Sequence, residues 1–585
     1  MNGHESPPSP TATTSAQSWH DEAATCVPSP AETPRSTTYP TDSSTEKQTK
    51  VHTDEVDGPL TVTTSHLSGV AATQLEMLLH SSVRQHGHPA HVGAGKGEEG
   101  VLEERMTVDL GNGPEEAVIV EWRKDDPECP YNWSSTRKAA TTLAVCYLTS
   151  LTAVNATSTG VMAEWGIPWF NTTHEGYIVG GFCYLFAVAI TPLVLAPMSE
   201  LFGRNVIYHV TSTINALLFI PPIFSHSYSG LLAARWFQGM VSSVGNSMVG
   251  GSIADIYRAA DRGPMMNVFA IFIFAGQAFG GVCFGWIGMK LGIRWCYGIQ
   301  GIAAALSCLV NFAVLRETRS DVILARRAAR LTKETGQKHV TAAELQKKSL
   351  KQLFIVALRP LQYLCTEPIV TAMSLWVGFA WGCVFLGTSS VLLVFGQYGW
   401  NSGLRGTAEI CTLIGGILGF ISNYHAEYLY ARAAARAPDG RAAPEVRLYW
   451  AATGGLLFPL CMFGFAWTGQ PHIHWAVPAV FLCLSYWGIY IMYSSVFNYL
   501  ADAYETYSSS AQAAQSFSRN VFSSIFPLFA TAMYTHLGYP VASTVAASIG
   551  LVLAAAPIAL VFYGKKLRQK SKVASAIWAS ESEGK

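Results

Sequence analysis

The chain has 585 residues, of which 50% are hydrophobic and 13% are charged. This composition excludes an ordinary soluble domain and predicts an integral membrane protein. Lys plus Arg and Asp plus Glu number 39 each, so the net charge gives no reason to expect a nucleic-acid partner. The twelve cysteines are scattered without the spacing of a metal site, and we therefore expect no metal and no other cofactor.

Residues 1–120 form the first predicted segment. They are rich in Ser, Thr, Pro, Glu and His and lack sustained hydrophobic periodicity, which predicts a disordered tail. No basic stretch followed by an apolar stretch opens the chain, so we expect the first membrane span to act as the insertion signal. A histidine cluster in this tail is interpreted as solvated rather than metal-binding: His80, His86, His88 and His91.

Twelve apolar stretches follow, each about as long as the ~20 residues with which a helix crosses a bilayer. A polar break at 316–363 divides them into six and six, and a short tail at 564–585 ends the chain. We therefore predict an all-α membrane protein with two pseudo-symmetric bundles of six helices, at 121–315 and 364–563. The predicted spans are 137–160, 174–196, 206–224, 229–254, 264–288, 293–315, 364–390, 403–424, 448–468, 475–500, 509–534 and 540–563.

Basic residues are distributed unevenly around these spans. Because Lys and Arg remain on the cytoplasmic side of a membrane, the side that lacks them is predicted to be external and both termini to be cytoplasmic. Only Lys290 and Arg294 depart from this pattern. Asn171 opens an Asn-Thr-Thr sequon on the predicted external side and is a candidate glycosylation site. The predicted external loops without Lys or Arg are 161–173, 225–228, 391–402, 469–474 and 535–539.

The polar break between the two halves is strongly basic. Its stretch LARRAARLTKETGQK carries basic residues at helical spacing. One interpretation is an amphipathic helix on the anionic inner leaflet, and the other is a solvated linker between the two bundles. The sequence does not choose between them.

The fourth predicted span carries polar residues on one helical face. Arg235 is followed at offsets of 3, 7 and 11 by Gln238, Ser242 and Asn246. A charged side chain at bilayer depth costs at least a few kcal/mol unless it faces a cavity or a partner. We predict that these residues line a cavity. The alternative is that Arg235 reaches the membrane interface or satisfies backbone carbonyls.

The tenth and eleventh predicted spans repeat this theme. In the eleventh, polar residues succeed one another after 4, 3, 4 and 4 positions, and together with Arg235 they predict a central polar site for a small molecule. In the tenth, aromatic residues at offsets of 4, 7 and 11 suit an apolar or cationic ligand, although helix packing is the more common explanation. The polar stripe is Ser508, Gln512, Gln515, Arg519 and Ser523, and the aromatic stripe is Tyr486, Tyr490, Tyr493 and Phe497.

A proton-coupled membrane protein is expected to hold a carboxyl group deep in the membrane. The first predicted span contains no Asp or Glu. Glu409 follows Arg405 by one helical turn, which indicates a local ion pair. Glu367 and Asp502, near the ends of predicted helices, remain as candidates for proton coupling.

The stretch APMSELFGRN at 196–205 resembles the signature that members of the major facilitator superfamily carry between spans two and three. In that family the acidic residue and the Gly-Arg pair brace the cytoplasmic side. The resemblance implies that Glu200, Gly203 and Arg204 belong to a gate. It also implies that Asp255, at the end of span four, is the partner of Arg204.

Further stretches resemble the fungal drug:proton antiporters with twelve spans, a group of polyamine, multidrug and secondary-metabolite exporters. In span five, AGQAFGGVCFG keeps Gly276, Gly280 and Gly285 of the antiporter signature, which implies close helix packing. Gln277 and Gly281 stand where the prolines of that signature would be. The other stretches are DDPECPYNW, GGSIADIYRAADRG, RETRSDVILARRAARLTKETG, TEPIV and NYLADAYETYSSSAQAAQSFSRNVFSSIFPLF.

This resemblance covers 125–565 and implies a monomeric secondary transporter that works by alternating access. The implied function is export of a small amphipathic organic compound, such as a secondary metabolite, glycolipid, toxin or drug, by proton antiport across the plasma membrane. The vacuolar membrane is the alternative location. On this interpretation, replacing Arg235 abolishes transport and leaves the protein folded.

Other functions remain open at this point. A facilitator or importer of an organic anion or polyamine fits the same fold, with Arg235 and Arg519 as counter-charges for an anion. A sensor with a transporter fold would signal through the long N-terminal tail. A membrane-bound transferase needs a catalytic cluster, for which PHIHW at 471–475 is the candidate, and its lack of a nearby carboxylate leads us to expect no enzyme.

Overall fold

A computed structural model describes residues 105–109, 114–345, 350–437, 442–504 and 507–571. Most of these residues lie in helices joined by short connections. The predicted disordered tail up to residue 104, with its histidine cluster, lies outside the described residues. The same holds for 572–585, the greater part of the predicted C-terminal tail.

The first half of the chain forms six spans, numbered here in chain order. Span 2 is a pair of helices bent by 45°, and span 4 consists of three consecutive short helices. The bounds are Ser135–Trp169 for span 1, His174–Ile190 and Pro192–Phe202 for span 2, Arg204–Leu217 and Ile220–Phe224 for span 3, Tyr228–Ser242, Val244–Ser247 and Val249–Ile256 for span 4, Ala259–Leu291 for span 5, and Ile293–Val314 for span 6.

The second half repeats this arrangement after a connecting region. That region contains a linker helix, Ser320–Thr335, and the helices Ala342–Leu345 and Leu350–Thr366. The bounds are Pro368–Gly396 for span 7, Ser402–Thr407 and Ile410–Arg436 for span 8, Val446–Thr468 for span 9, Ala476–Tyr504 for span 10, Ser508–Leu537 for span 11, and Tyr539–Leu553 and Ala555–Lys570 for span 12.

Spans 4 and 11 differ from the other ten in that neither contains a helix, or a bent pair of helices, both long and apolar enough to cross a membrane, among the residues that the structure describes. In the described part of the chain, nine helices are long and apolar enough to cross a membrane, and the bent pair of span 2 makes ten. Span 4 falls short because it breaks at Ser243 and Met248, and span 11 because it carries polar side chains over much of its length. These are the two spans for which the sequence predicts polar stripes.

Span 1 extends further than predicted. It continues to Trp169 and so includes Glu164, which lies beyond the predicted end of this span at 160. Glu164 is exposed near the end of the helix, where a charged side chain remains solvated and does not stop the helix. Ser134 caps the opposite end by accepting a hydrogen bond from the backbone N–H of Arg137.

A small sheet occupies part of the segment that the sequence predicts to be disordered. Strands β1, Arg105–Asp109, and β2, Pro114–Ile119, are antiparallel, and β3, His339–Val340, is parallel to β2. The backbone N–H of Val118 donates to the carbonyl of Lys338 at 2.9 Å. The pairing partner comes from beyond span 6, which is why the composition of 1–120 alone did not indicate this sheet.

The linker helix is docked on the segment that precedes span 1. Arg327 forms an ion pair of 2.5 Å with Asp126, and Arg330 lies 3.9 Å from Glu128. The helix ends at Gly336, whose φ of +71° provides a left-handed cap. The basic break is therefore neither a bare linker nor a helix held by lipid alone, because part of it packs on the protein.

The two halves meet where span 2 packs against span 11 and where span 5 packs against span 8. The largest buried apolar cluster contains side chains from both halves, among them Phe274 of span 5 and Tyr490 of span 10. We call the end at which spans 3 and 9 begin the basic end, and the opposite end the far end. The candidate site lies between them.

Candidate functional site

Arg519 lies deep within the bundle, where span 11 passes span 4. Its side chain is only 2% exposed. Nη2 donates to Oδ1 of Asn246 at 2.8 Å and to Oγ of Ser516 at 3.4 Å. Nε and Nη1 find no acceptor, and no carboxylate pairs with the guanidinium, among the residues that the structure describes. The protein therefore buries a cation with two donor groups unsatisfied.

Two aromatic rings flank this guanidinium. Its carbon Cζ lies 4.9 Å from the ring centre of Trp381 and 5.3 Å from that of Tyr493. Within the described ranges, Nε1 of Trp381 and Nε2 of Gln515 also lack a partner. The unpaired polar atoms of these side chains are all N–H donors, which suits a ligand rich in acceptors. We call this group the Arg519 site: Arg519, Trp381, Tyr493, Gln515, Asn246 and Asn520.

Asn246 joins the two halves at this site. Its Oδ1 accepts from Arg519, and its Nδ2 donates to Oδ1 of Asn520 at 3.2 Å. Of the four residues in the predicted stripe of span 4, it is the one that contacts the Arg519 site. A relative movement of the halves must change these two hydrogen bonds.

Arg235 is placed differently from the prediction of a cavity-lining residue. It is 1% exposed, and Nη2 donates to the backbone carbonyl of Asn155 at 3.2 Å. Oδ1 of Asn155 and Oγ1 of Thr159 accept further hydrogen bonds from the guanidinium. The rings of Tyr184 and Tyr297 lie at 5.3 and 6.0 Å. These partners all belong to the first half, and one of them is a backbone carbonyl, as the alternative interpretation expects.

Gln238 and Ser242 face span 3 rather than the Arg519 site. Gln238 donates to the carbonyl of Leu218 at 2.9 Å, and Ser242 donates to Oδ1 of Asn215 at 3.2 Å. The predicted stripe assumed one straight helix. Because span 4 breaks after Ser242, Asn246 belongs to a separate short helix and points elsewhere.

The residues of the aromatic stripe in span 10 make different contacts. Tyr490 donates to Oδ1 of Asn267 at 2.6 Å and so links span 10 to span 5. Tyr486 is buried, and its hydroxyl lacks a partner among the described residues. Gln512, part of the polar stripe of span 11, donates to the carbonyl of Phe497 at 3.4 Å. In this conformation Tyr493 is the member of the stripe that lies against Arg519.

The signature residues form a brace at the basic end. Nε of Arg204 donates to Oδ2 of Asp255, the partner that the resemblance implies, and Arg204 is buried. Gly203 has a φ of +96°, a conformation that other residues rarely adopt. Glu200 forms no ion pair within the part of the chain that the structure describes.

Glu317 also belongs to this brace, although it lies outside the signature stretch at 196–205. Its buried carboxylate accepts hydrogen bonds from four backbone N–H groups, two at the start of span 3 and two before the linker helix. Oε2 lies against the position where a Cβ on Gly203 would be, so a larger residue there would displace it. The signal in the sequence was the acidic residue between two arginines in RETR.

A second brace occupies the corresponding place in the second half. Arg447 at the start of span 9 forms ion pairs of 2.5 Å with Asp502 and 3.0 Å with Glu427. Asp502, a predicted proton carrier, is thus held by an arginine. Glu367, the other candidate, is buried and accepts from the hydroxyl groups of Tyr504 at 3.2 Å and Ser571 at 2.5 Å.

The expected ion pair between Arg405 and Glu409 does not form. Nε of Arg405 donates instead to the carbonyl of Trp400 at 2.8 Å. Glu409 lies at the junction between the two helices of span 8, so the regular spacing of one turn does not bring the two side chains together. Glu409 is buried against span 5.

The three signature glycines of span 5 lie at close helix contacts. A Cβ on Gly276 would lie 2.5 Å from the carbonyl oxygen of Ser150 in span 1. One on Gly280 would overlap Thr157, also in span 1. One on Gly285 would lie 2.9 Å from the carbonyl oxygen of Ser402 in span 8. Span 5 is therefore packed closely against both halves.

A cleft of about 200 Å³ opens between the halves at the far end. Its walls include Glu164 of span 1, His174 of span 2, and Ser402 and Arg405 of span 8. Asn171, the residue of the sequon, is exposed in the turn between spans 1 and 2, with a φ of +48°.

Another cleft, of about 440 Å³, lies at the basic end beside the linker helix and is lined by Arg137, Arg316 and Arg327 among others. Asp126 holds Arg327 at its edge. Burial raises the pKa of Asp126, but hydrogen bonds from Arg327 and from the backbone N–H of Glu128 outweigh burial and hold this pKa below its ordinary value. The carboxylate form that anchors the linker helix is thereby favoured.

A sequence model of the Major Facilitator Superfamily matches residues 140–527. The chain belongs to this superfamily. The MFS-type efflux pump MFS2 of Trichophyton rubrum is 34% identical over 470 residues, which cover 79% of each chain. The multidrug transporter mdrA of Aspergillus fumigatus is 31% identical over 487 residues, which cover 82% of this chain and 80% of that protein.

Solved structures agree with this assignment at the level of the fold. The xylose transporter XylE from E. coli superimposes with a TM-score of 0.51 at 13% identity, over 72% of this chain and 98% of its own. The predicted all-α membrane fold and the resemblance to fungal efflux transporters are confirmed. The protein is a membrane transporter and not an enzyme.

Proposed function

We propose that this transporter exports a small amphipathic organic compound with an anionic or acceptor-rich group across the plasma membrane, in exchange for protons. The observation that carries the proposal is the buried guanidinium of Arg519, whose Nε and Nη1 have no partner among the described residues. A buried donor without a partner costs about 1–3 kcal/mol, and more when it is charged. A ligand that supplies acceptors removes this cost and gains affinity from it.

The surroundings of Arg519 indicate further properties of the substrate. Trp381 and Tyr493 offer flat apolar faces beside the cation, which suits a compound with an apolar or aromatic body. A polyamine would bring positive charge next to Arg519, where no described carboxylate offsets it. The polyamine alternative is therefore disfavoured.

Alternating access is supported by the positions of the two braces. Arg204 with Asp255 and Arg447 with Asp502 are formed together at the basic end, which we assign to the cytoplasm by its charge. The far end retains a cleft between the halves. In the proposed cycle the braces separate to admit substrate from the cytoplasm and form again before its release outside.

An importer or facilitator of an organic anion is the second candidate. The same unpaired guanidinium favours it, because Arg519 would bind an anion from either side. The two candidates differ in the direction of net movement and in their response to a proton gradient.

The test measures the retention of two dyes in yeast cells that express the transporter. We expect the anionic dye fluorescein to be retained about tenfold less than in cells without it, and the cationic dye rhodamine 6G to be unaffected. Arg519→Gln should abolish fluorescein export, while Arg432→Gln, at an exposed position in span 8, should preserve it. Metabolites retained by a deletion strain would then identify the native substrate.

Three outcomes would contradict parts of this proposal. Greater fluorescein retention in expressing cells would establish import. Export that persists after a protonophore has collapsed the gradient would exclude proton drive. Undiminished export by Arg519→Gln would remove Arg519 from the substrate site.

A further inference from the structure

Glu409 is an acidic side chain enclosed between the two halves of the protein. It stands where the two helices of span 8 join and is 3% exposed. Thr412 donates to its Oε2 at 3.3 Å. Among the described residues, Oε1 has no hydrogen-bond partner and no basic side chain pairs with the carboxyl group.

Gly281 of span 5 lies directly against Glu409. A Cβ at this position would be 2.7 Å from Cβ of Glu409, which leaves no space for a side chain. A Cβ on Gly406, within the same span as Glu409, would be 2.5 Å from the carbonyl oxygen of Gly281. Gly281 is one of the positions at which the antiporter signature would have proline. This departure from the signature makes room for an acidic side chain at the contact between spans 5 and 8.

Few titratable groups surround Glu409. Tyr486 of span 10 is buried, and its hydroxyl has no partner among the described residues. Cys411 of span 8 lies near Glu409, and Cys483 of span 10 lies next to Cys411. Arg405 is engaged by the carbonyl of Trp400. Span 5 presents glycine at the point of contact. None of these groups supplies a cation to balance a carboxylate.

The closed contact between spans 5 and 8 accommodates an uncharged carboxyl group. An isolated carboxylate within a membrane is energetically costly, whereas the uncharged acid needs only ordinary hydrogen bonds. Ser402 and Arg405, earlier in span 8, line the far-end cleft. Separation of the two spans would therefore bring water from this cleft to Glu409.

We propose that Glu409 binds a proton and that this proton controls closure of the far end. When spans 5 and 8 separate, water accepts the proton, which leaves a carboxylate on Glu409 and a hydronium ion in the cleft. The reverse transfer restores the acid and allows the spans to close. This inference rests on the proposed proton coupling and assigns it to Glu409 rather than to Glu367 or Asp502, which have partners at the basic end.

The experiment measures opening of the far end without a substrate. The full chain with Ile167→Cys, a position in the far-end cleft, is labelled in intact cells by a membrane-impermeant maleimide. The chain without this substitution gives the background from native cysteines. The labelling rate at about pH 7.5 is divided by that at about pH 5.5, which covers about two decades of proton concentration.

We expect this ratio to be about tenfold larger with Glu409 than with Glu409→Gln, because glutamine is uncharged at both pH values. The same cysteine serves in both proteins, so the pH dependence of the maleimide reaction cancels. Glu409→Leu, a second uncharged variant, should behave like Glu409→Gln, and Glu409→Asp should retain the pH dependence. The amount of each variant in the membrane shows that it has folded.

Other titratable groups of the cleft provide matched controls. Glu164→Gln and His174→Gln should both preserve the pH dependence of labelling. An unchanged ratio in Glu409→Gln, or loss of pH dependence in either control, would overturn the assignment. Because labelling needs no substrate, this result is independent of whether fluorescein is exported.

Discussion

Each half of the transporter buries one arginine deep among its helices, but the two guanidinium groups have different surroundings. Arg235 donates to Asn155, Thr159 and Gln238, all within the first half. Arg519 donates across the boundary between the halves to Asn246 and leaves Nε and Nη1 unpaired within the described ranges. Both are almost fully buried, at 1% and 2% exposure.

The difference shows that burial of a charge does not by itself mark a binding site. A guanidinium whose donors are satisfied by its own bundle stabilises that bundle and has little to offer a ligand. A guanidinium that is buried with unsatisfied donors is held there by the rest of the structure. A ligand can supply the missing hydrogen-bond acceptors. The following predictions test this distinction, first between the two arginines and then between the two halves.

The largest expected effect is on folding. Arg235→Ala should lower the free energy of unfolding by at least about 3 kcal/mol, because Asn155 and Thr159 lose a charged donor in a buried place. Arg519→Ala should lower it far less, since it removes a cation that is incompletely paired. Apparent melting temperatures in detergent, with Arg432→Ala as control, measure the difference. Equal losses for both arginines would invalidate the comparison.

The contacts of Arg235 also revise the sequence-based prediction for its replacement. The sequence predicted that its replacement abolishes transport and leaves the protein folded. From the structure we expect loss of transport because the first half is destabilised, and a reduced amount of protein in the membrane.

The two braces should differ in their tolerance of substitution. Asp255→Asn leaves Arg204 without a carboxylate partner, whereas Asp502→Asn leaves Arg447 paired with Glu427. We therefore expect Asp255→Asn to reduce fluorescein export by about tenfold and Asp502→Asn by about threefold. Rates of dye loss from preloaded yeast cells measure both. A larger effect of Asp502→Asn would show that Glu427 does not support Arg447.

The smallest expected effect concerns the aromatic wall of the Arg519 site. Trp381→Phe weakens the contact with the guanidinium and removes an unpaired N–H, so the KM for fluorescein should rise by about threefold. Trp376→Phe is a matched control, because Trp376 is also buried in span 7 and its Nε1 has no partner within the described ranges. If both variants change the KM equally, the effect arises from packing within span 7 and not from Arg519.

Much of the fold is predictable from local sequence. Apolar stretches of sufficient length indicate the spans, because apolar side chains transfer favourably from water to lipid. The stretch APMSELFGRN indicated the contact between Arg204 and Asp255 by resemblance. The sequence predicts span 4 as one straight helix, whereas the structure breaks it after Ser242. It also predicts an end of span 1 before Glu164, whereas the helix continues to Trp169.

The sheet formed by β1, β2 and β3 shows a different limit. Neither short strand at 105–119 is stable alone, and β3 lies more than two hundred residues further along the chain. Composition describes the average behaviour of a segment and carries no information about such a distant partner.

By itself the sequence indicated a membrane transporter of the major facilitator type, with two predicted halves of six spans and a basic connecting region. Only the tertiary structure decided which arginine has its hydrogen-bond donors satisfied and which buried acidic residue lies away from basic side chains. Arg235 finds Asn155 at a separation of 80 residues, and Arg519 finds Asn246 at 273. Glu409 has no basic partner among the described residues, and span 5 presents Gly281 to it. Hydrogen bonds and ion pairs depend on which side chains meet in space. Helical periodicity predicts only the helix face on which each side chain lies.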